Sequence, residues 1–148
     1  VPALLRRAPL LALVVASSCT AVSGSARRDV DAALQRYNQA LGQTSAEAMA
    51  AMFTADGELS WADDPPIRGP AAILAHLRRF ESYRVEATRM TPETARVSGS
   101  AARQDGVFWQ RTRLPDGTTV EASGRFTAEW ALGEDGRWRL RRLATRPP

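Results

Sequence analysis

Between Val30 and Leu41 the chain reads VDAALQRYNQAL, with Val30, Leu34, Tyr37 and Leu41 on one stripe at helical spacing. Asp29 is placed to cap this first helix, Asp31 falls in its first turn, and Gly42 ends it. TSAE at 44–47 has the form of a capping box opening a second helix, whose buried face is Met49, Met52 and Phe53. ADG at 55–57 closes that helix, and Glu58 to Ala62 then alternates as a short strand with Leu59 and Trp61 on one side. DDPP is a loop, and Gly69-Pro70 starts a third helix to about Phe80, with proline at the first helical position.

Beyond Phe80 the period changes from helical to alternating. Strands are expected over Tyr83–Met90, Ala95–Arg103, Val107–Leu114, Thr119–Leu132 and Arg137–Thr145, divided by turns at TPET, QDG, PDG and GEDG. The order predicts an α+β domain: a strongly bent antiparallel sheet of about six strands wrapped on three N-terminal helices, with a cavity between the layers. Alternation puts Phe108, Gln110, Thr112, Val120, Ala122, Phe126, Ala128 and Trp130 on the inner face. Trp109, Arg111, Arg113, Glu121, Ser123, Arg125 and Glu129 take the outer one, with Arg111 across from Glu121. Trp138 and Leu140 point inward, and Arg137, Arg139 and Arg141 outward.

The first residues follow another grammar. VPALLRR is a basic start, APLLALVVA is an apolar run too short to span a bilayer, and small residues precede the lone Cys19. This pattern resembles a bacterial lipoprotein signal, although Ala16 stands where Leu or Val is usual. Residues 1–18 are expected to be a signal peptide, Cys19 the lipidation site, 19–28 a polar tether and 29–148 the folded domain. Cleavage near Ala26, which would discard Cys19, is the other reading. Either route implies export to the periplasm or cell envelope, most simply as an outer-membrane lipoprotein held to the membrane by its lipid. Composition changes little in this picture: 44% apolar and 24% charged residues among 148 describe one globular domain. The formal charge of +4 comes entirely from arginine, since the chain has no lysine. Nucleic acid is the wrong partner for an exported chain.

The order of elements, LQRYNQAL, MFTADGELSW, IRGPAAILAHL and the closing FTAEWALGEDGRWRL together resemble the nuclear transport factor 2-like superfamily, in its SnoaL-like and ketosteroid isomerase-like branches. The resemblance spans roughly Asp29 to Arg146 and implies a cone-shaped fold around an apolar pocket. Members of that superfamily include isomerases, dehydratases, small-molecule binders and interaction domains, so the fold leaves function open. In its isomerases a tyrosine of the first helix donates to the substrate oxyanion, and Tyr37 holds the matching position. The base position falls on Trp61, which cannot abstract a proton. The second donor position falls near Thr127 or Ala128, neither of them an acid.

Tyr37 therefore either bonds a neighbouring backbone group or offers its hydroxyl to a ligand. His76, the only histidine, lies between Ile73 and Phe80 and is either core filler or an acid–base group. Asp63 and Asp64 read first as a solvated turn, and second as a base swinging toward Tyr37 and His76. The expected pocket comprises Tyr37, Met52, Trp61, His76, Phe80, Phe108, Gln110, Thr112 and Trp130, and takes a small apolar or aromatic molecule. Tyr37 and His76 are the catalytic candidates if the domain is an isomerase or dehydratase. No cofactor is implied, and one histidine with one cysteine makes no metal set. A third reading is an interaction module whose outer sheet face around Trp109 binds a second copy, forming a homodimer, or an envelope protein.

Overall fold

The computed structural model describes residues 18–148. The leader expected at 1–18 thus lies, apart from its last residue, outside the described residues. Helix α1 covers Ser18–Gly42, α2 Ala46–Ala50 and α3 Pro70–Arg78. Six strands follow or intervene: β1 Phe53–Trp61, β2 Ile67–Arg68, β3 Arg84–Ser98, β4 Ala101–Arg113, β5 Thr119–Leu132 and β6 Trp138–Arg146. They form one sheet in the order β2-β1-β6-β5-β4-β3. The expected α+β architecture and strand number are found, but the sheet is mixed: β1 runs parallel to β6. Parallel neighbours need a long crossover, and here all the elements from β2 to β5 supply it.

The stripe on α1 faces the core as its spacing requires. Val30, Ala33, Leu34 and Tyr37 are buried beside Phe126, Ala128, Trp130 and Leu140 of the sheet. Gly42 does end the helix, but its start differs from expectation. Among the described residues the helix already includes Ser18, so the backbone of 19–28 is helical and Asp29 is no cap. Asp31 sits mid-helix and accepts a 2.7 Å hydrogen bond from Nε2 of Gln104. Gln104, fully buried, accepts in turn from the Trp130 indole at 3.0 Å. Further along α1, Asn38 accepts from the Thr88 hydroxyl at 3.1 Å.

The second helix is shorter than its apolar spacing implies. Ser45, not Thr44, is the cap, its Oγ accepting from the amide of Ala48 at 3.2 Å. Phe53 already belongs to β1, because Leu140 of β6 donates its amide to the Met52 carbonyl and draws the chain into the sheet. ADG is consequently interior to β1, where Gly57 lies against Phe53 and the carbonyl of Leu140.

TPET and QDG are not turns. β3 runs through the first with a bulge between Pro92 and Thr94, and β4 runs straight through the second. The actual hairpin lies at Gly99, whose φ of 57° suits glycine. Gly106 answers a different need. A Cβ there would stand 2.1 Å from the Thr91 carbonyl oxygen and 2.9 Å from the Phe126 ring. Its absence lets β3 cross closely over β4. PDG and GEDG do connect β4 to β5 and β5 to β6, with positive φ at Gly117 and Gly136.

Two glycine substitutions should therefore differ in cost. Gly106→Ala drives a methyl into backbone that cannot yield and is expected to cost roughly 3 kcal/mol. Gly99→Ala meets open space and costs only the left-handed strain, about 1 kcal/mol. Chemical denaturation of both variants checks the order.

Candidate functional site

Helices and sheet do not meet solidly. Between them is a cavity of about 370 Å³, walled by α1, α2, α3 and strands β1, β2, β3, β4 and β6. Leu41, Met49, Leu59, Ile67, Met90 and Leu143 make most of its surface apolar. Tyr37, Trp61, His76, Phe80, Phe108 and Gln110 of the expected set also reach it. Alternation brought Phe108 and Gln110 to the correct face, and helical spacing did the same for Tyr37 and His76.

Three expected members lie elsewhere. Trp130 is 1% exposed in the core, its indole committed to Gln104. Thr112 is buried outside the cavity wall and accepts from Nε2 of Gln110 at 2.7 Å. Met52 packs against the core beside the point where β1 begins. Val120 and Ala122 share the inner face in register but are exposed.

The cavity wall also holds a residue that the loop reading set aside. Asp64 lines it, whereas its neighbour Asp63 turns toward a separate groove. Asp64 sits in an exposed turn whose amide bonds back to the Trp61 carbonyl at 3.0 Å. That turn sets Asp64 next to Trp61 at the rim. Pattern alone could not separate two adjacent aspartates, because their difference depends on the turn that β1 makes as it leaves the sheet.

Tyr37 is 4% exposed, yet its hydroxyl has no hydrogen-bond partner among the described residues. No buried side-chain oxygen or nitrogen among them is left both sealed and unpaired, so this oxygen opens onto the cavity. Burial pushes the phenol well above its ordinary pKa, so it stays protonated as a donor. Its ring meets Phe53 edge-on at 6.2 Å, which holds the phenol in place without using the hydroxyl. Gln110 spends its amide NH₂ on Thr112 and leaves its carbonyl oxygen as an acceptor.

His76 is half-buried and packs edge-on against Phe80 at 5.4 Å; Phe80 repeats that contact with Tyr83. Burial, and then the charge of Arg79, lower the imidazole pKa. The ring is therefore neutral at pH 7, able to accept a proton. On the far side of the sheet Trp109 is engaged by its own neighbours: it donates to Glu121 at 3.3 Å and lies 5.6 Å from the Arg111 guanidinium. Among the described residues no group of three or more His, Cys, Asp or Glu side chains is gathered as a metal site. No described helix is long and apolar enough to cross a membrane.

A family model of the SnoaL-like domain matches residues 23–144. The chain belongs to the SnoaL-like family. Solved structures agree at the level of the fold. A ketosteroid isomerase-like protein from Erwinia carotovora atroseptica is similar over 81% of this chain and 94% of its own, with 18% identity and a TM-score of 0.73. A nuclear transport factor 2-like protein with a cystatin-like fold from Novosphingobium aromaticivorans covers 88% and 90%, at 20% identity and a TM-score of 0.68. A scytalone dehydratase-like protein from the same organism covers 87% and 88%, at 20% identity and a TM-score of 0.75. No curated protein matches the sequence. In this domain Tyr37 and Trp61 both border the cavity.

The lowered imidazole pKa sets a pH dependence. Protons bind the unfolded chain more readily than the folded one, so His76 costs no stability above its ordinary value of about 6.5. Stability should fall as pH drops through that value toward the folded pKa, then level off for this group. His76→Gln should remove that part of the slope, and an NMR titration of the single imidazole should give a midpoint below 6.5.

Proposed function

We propose that this SnoaL-like domain is an exported, lipid-anchored receptor for one small apolar or aromatic molecule carrying a carbonyl or hydroxyl oxygen. The observation that carries the reading is the unpartnered Tyr37 hydroxyl opening onto an apolar cavity of ligand size. An oxygen of the guest accepts from Tyr37, and a guest hydroxyl donates to Gln110. Leu59, Met90 and Leu143 supply the apolar contact, and Trp61 with Phe108, edge-on at 6.0 Å, forms an aromatic wall. The deep wall carries no full charge, so a neutral guest is favoured. Export and anchoring rest on the pattern of residues 1–19, with Cys19 acylated and the membrane as second partner; the expected address is the outer membrane.

A second reading is favoured by one observation: Tyr37, His76 and Asp64 border the same cavity. A neutral imidazole can take a proton from carbon next to a carbonyl while the phenol stabilises the resulting oxyanion, the division of labour of an isomerase or dehydratase. The folds it shares with a ketosteroid isomerase-like and a scytalone dehydratase-like protein are compatible with that chemistry. Proton exchange at the α-carbon of a bound ketone, followed by NMR in deuterated water, separates the readings. Exchange that His76→Gln abolishes favours catalysis, whereas binding without exchange favours the receptor.

Tyr37→Phe should change stability by less than about 1 kcal/mol, because no protein partner is lost. The same substitution should weaken a phenolic or ketonic ligand about tenfold, as measured by calorimetry; equal affinity for both forms would defeat the proposal. Cys19→Ala should move the protein from the membrane fraction to the soluble fraction of its host, as followed by immunoblot.

A further inference from the structure

A second hollow, of about 480 Å³, lies at the ends of β1 and β6 beside the middle of β5, and the cavity does not account for it. Ser60 and Thr145 line both spaces, so a single layer of strand separates them. In character the two are opposites. The hollow is walled by Arg125, Arg142 and Arg146, with Asp63 as the carboxylate among its lining residues.

The register makes this crowding costly. Arg125 on β5 and Arg146 on β6 are direct cross-strand partners on the same face, an arrangement of like charges that destabilises a sheet. Arg125 finds Glu93 at 2.5 Å. Among the described residues Arg142 and Arg146 have no ion pair, whereas Arg125 does. The glutamates that flank Arg142 in register, Glu58 and Glu129, are themselves paired with Arg68 and Arg103. The hollow thus gathers three guanidiniums, two of them without an ion pair among the described residues, although Arg146 also helps hold the Asp105 carboxyl below its ordinary range.

We infer that this hollow is an anion site for a phosphate ester, held by Arg146 and Arg142 with Arg125 alongside. Guanidinium forks match phosphate oxygens in pairs, and the two forks of Arg142 and Arg146 together offer more donors than the two oxygens of one carboxylate take from a single bidentate partner. The hollow is far larger than a bare phosphate, which leaves space for the esterified group against Phe126, Ala144 and Pro147. The ester is either a soluble phosphorylated molecule or a phospholipid headgroup. This site stands independently of the ligand proposed for the cavity.

The test uses the Cys19→Ala chain, so that acylation contributes nothing. Inorganic phosphate is titrated by calorimetry, and sedimentation is measured with vesicles of phosphatidylcholine and phosphatidylglycerol in equal parts. Arg146→Gln and Arg142→Gln are each compared with Arg36→Gln, which removes an equal charge from an exposed position on α1. Losing one charge-assisted contact should weaken binding about tenfold in the first two and leave the third unchanged. Phosphate binding that follows this pattern supports the site with a soluble ester as its occupant. Vesicle binding alone that follows it supports the site with a headgroup as its occupant. No binding in either arm, or an equal loss in Arg36→Gln, would overturn it. Since Arg142 and Arg146 are both exposed, either variant can serve if the other fails to fold.

Discussion

The position of α1 on the sheet governs everything else in the molecule, and two polar clamps hold it there. Asp31 to Gln104 to Trp130 pins the helix near its middle, and Asn38 to Thr88 pins it closer to its end. Apolar contact alone would allow the helix to slide, because Val30, Ala33 and Leu34 offer grease but little direction. Hydrogen bonds at buried positions are directional and costly to break, so they select one placement. Tyr37 lies between the clamps. Its ring is fixed by packing, its hydroxyl is left over, and the cavity begins where that hydroxyl points.

Much of this was legible in the chain, and what was missed has physical causes. Helical spacing identified the buried face of α1, and strict alternation identified both faces of β4 and β5. The misplaced turns came from reading glycine as a bend. Gly106 is used for close approach between strands, and Pro92 sits at a bulge, two roles that local sequence shares with turns. Gln104 was hidden by the same error: inside a turn it would be solvated, whereas inside β4 it becomes the buried link to α1. That displaced Trp130 as well, since a tryptophan satisfied by Gln104 belongs to the core. The parallel pairing of β1 with β6 joins segments too far apart for any local pattern to reveal.

The site divides along the same line. Tyr37, His76, Phe108 and Gln110 were legible as cavity-facing because each sits on a regular element whose period assigns its face. Asp64 was not, because a loop has no period, and only the folded turn shows which of two aspartates meets the cavity. Likewise the facing of Arg146 by Arg125 depends on register across a hairpin, which emerges only from the pairing of β5 with β6.

The outermost strand, β3, has one further consequence. A fifteen-residue flank at the rim of a sheet offers unpaired amides that could recruit a foreign strand and seed aggregates. Pro92 withholds an amide there, the neighbouring bulge breaks the straight run, and Arg89, Glu93 and Arg96 stud the segment with charge. The features that disguised β3 as two strands thus serve as gatekeepers against pairing with a foreign strand.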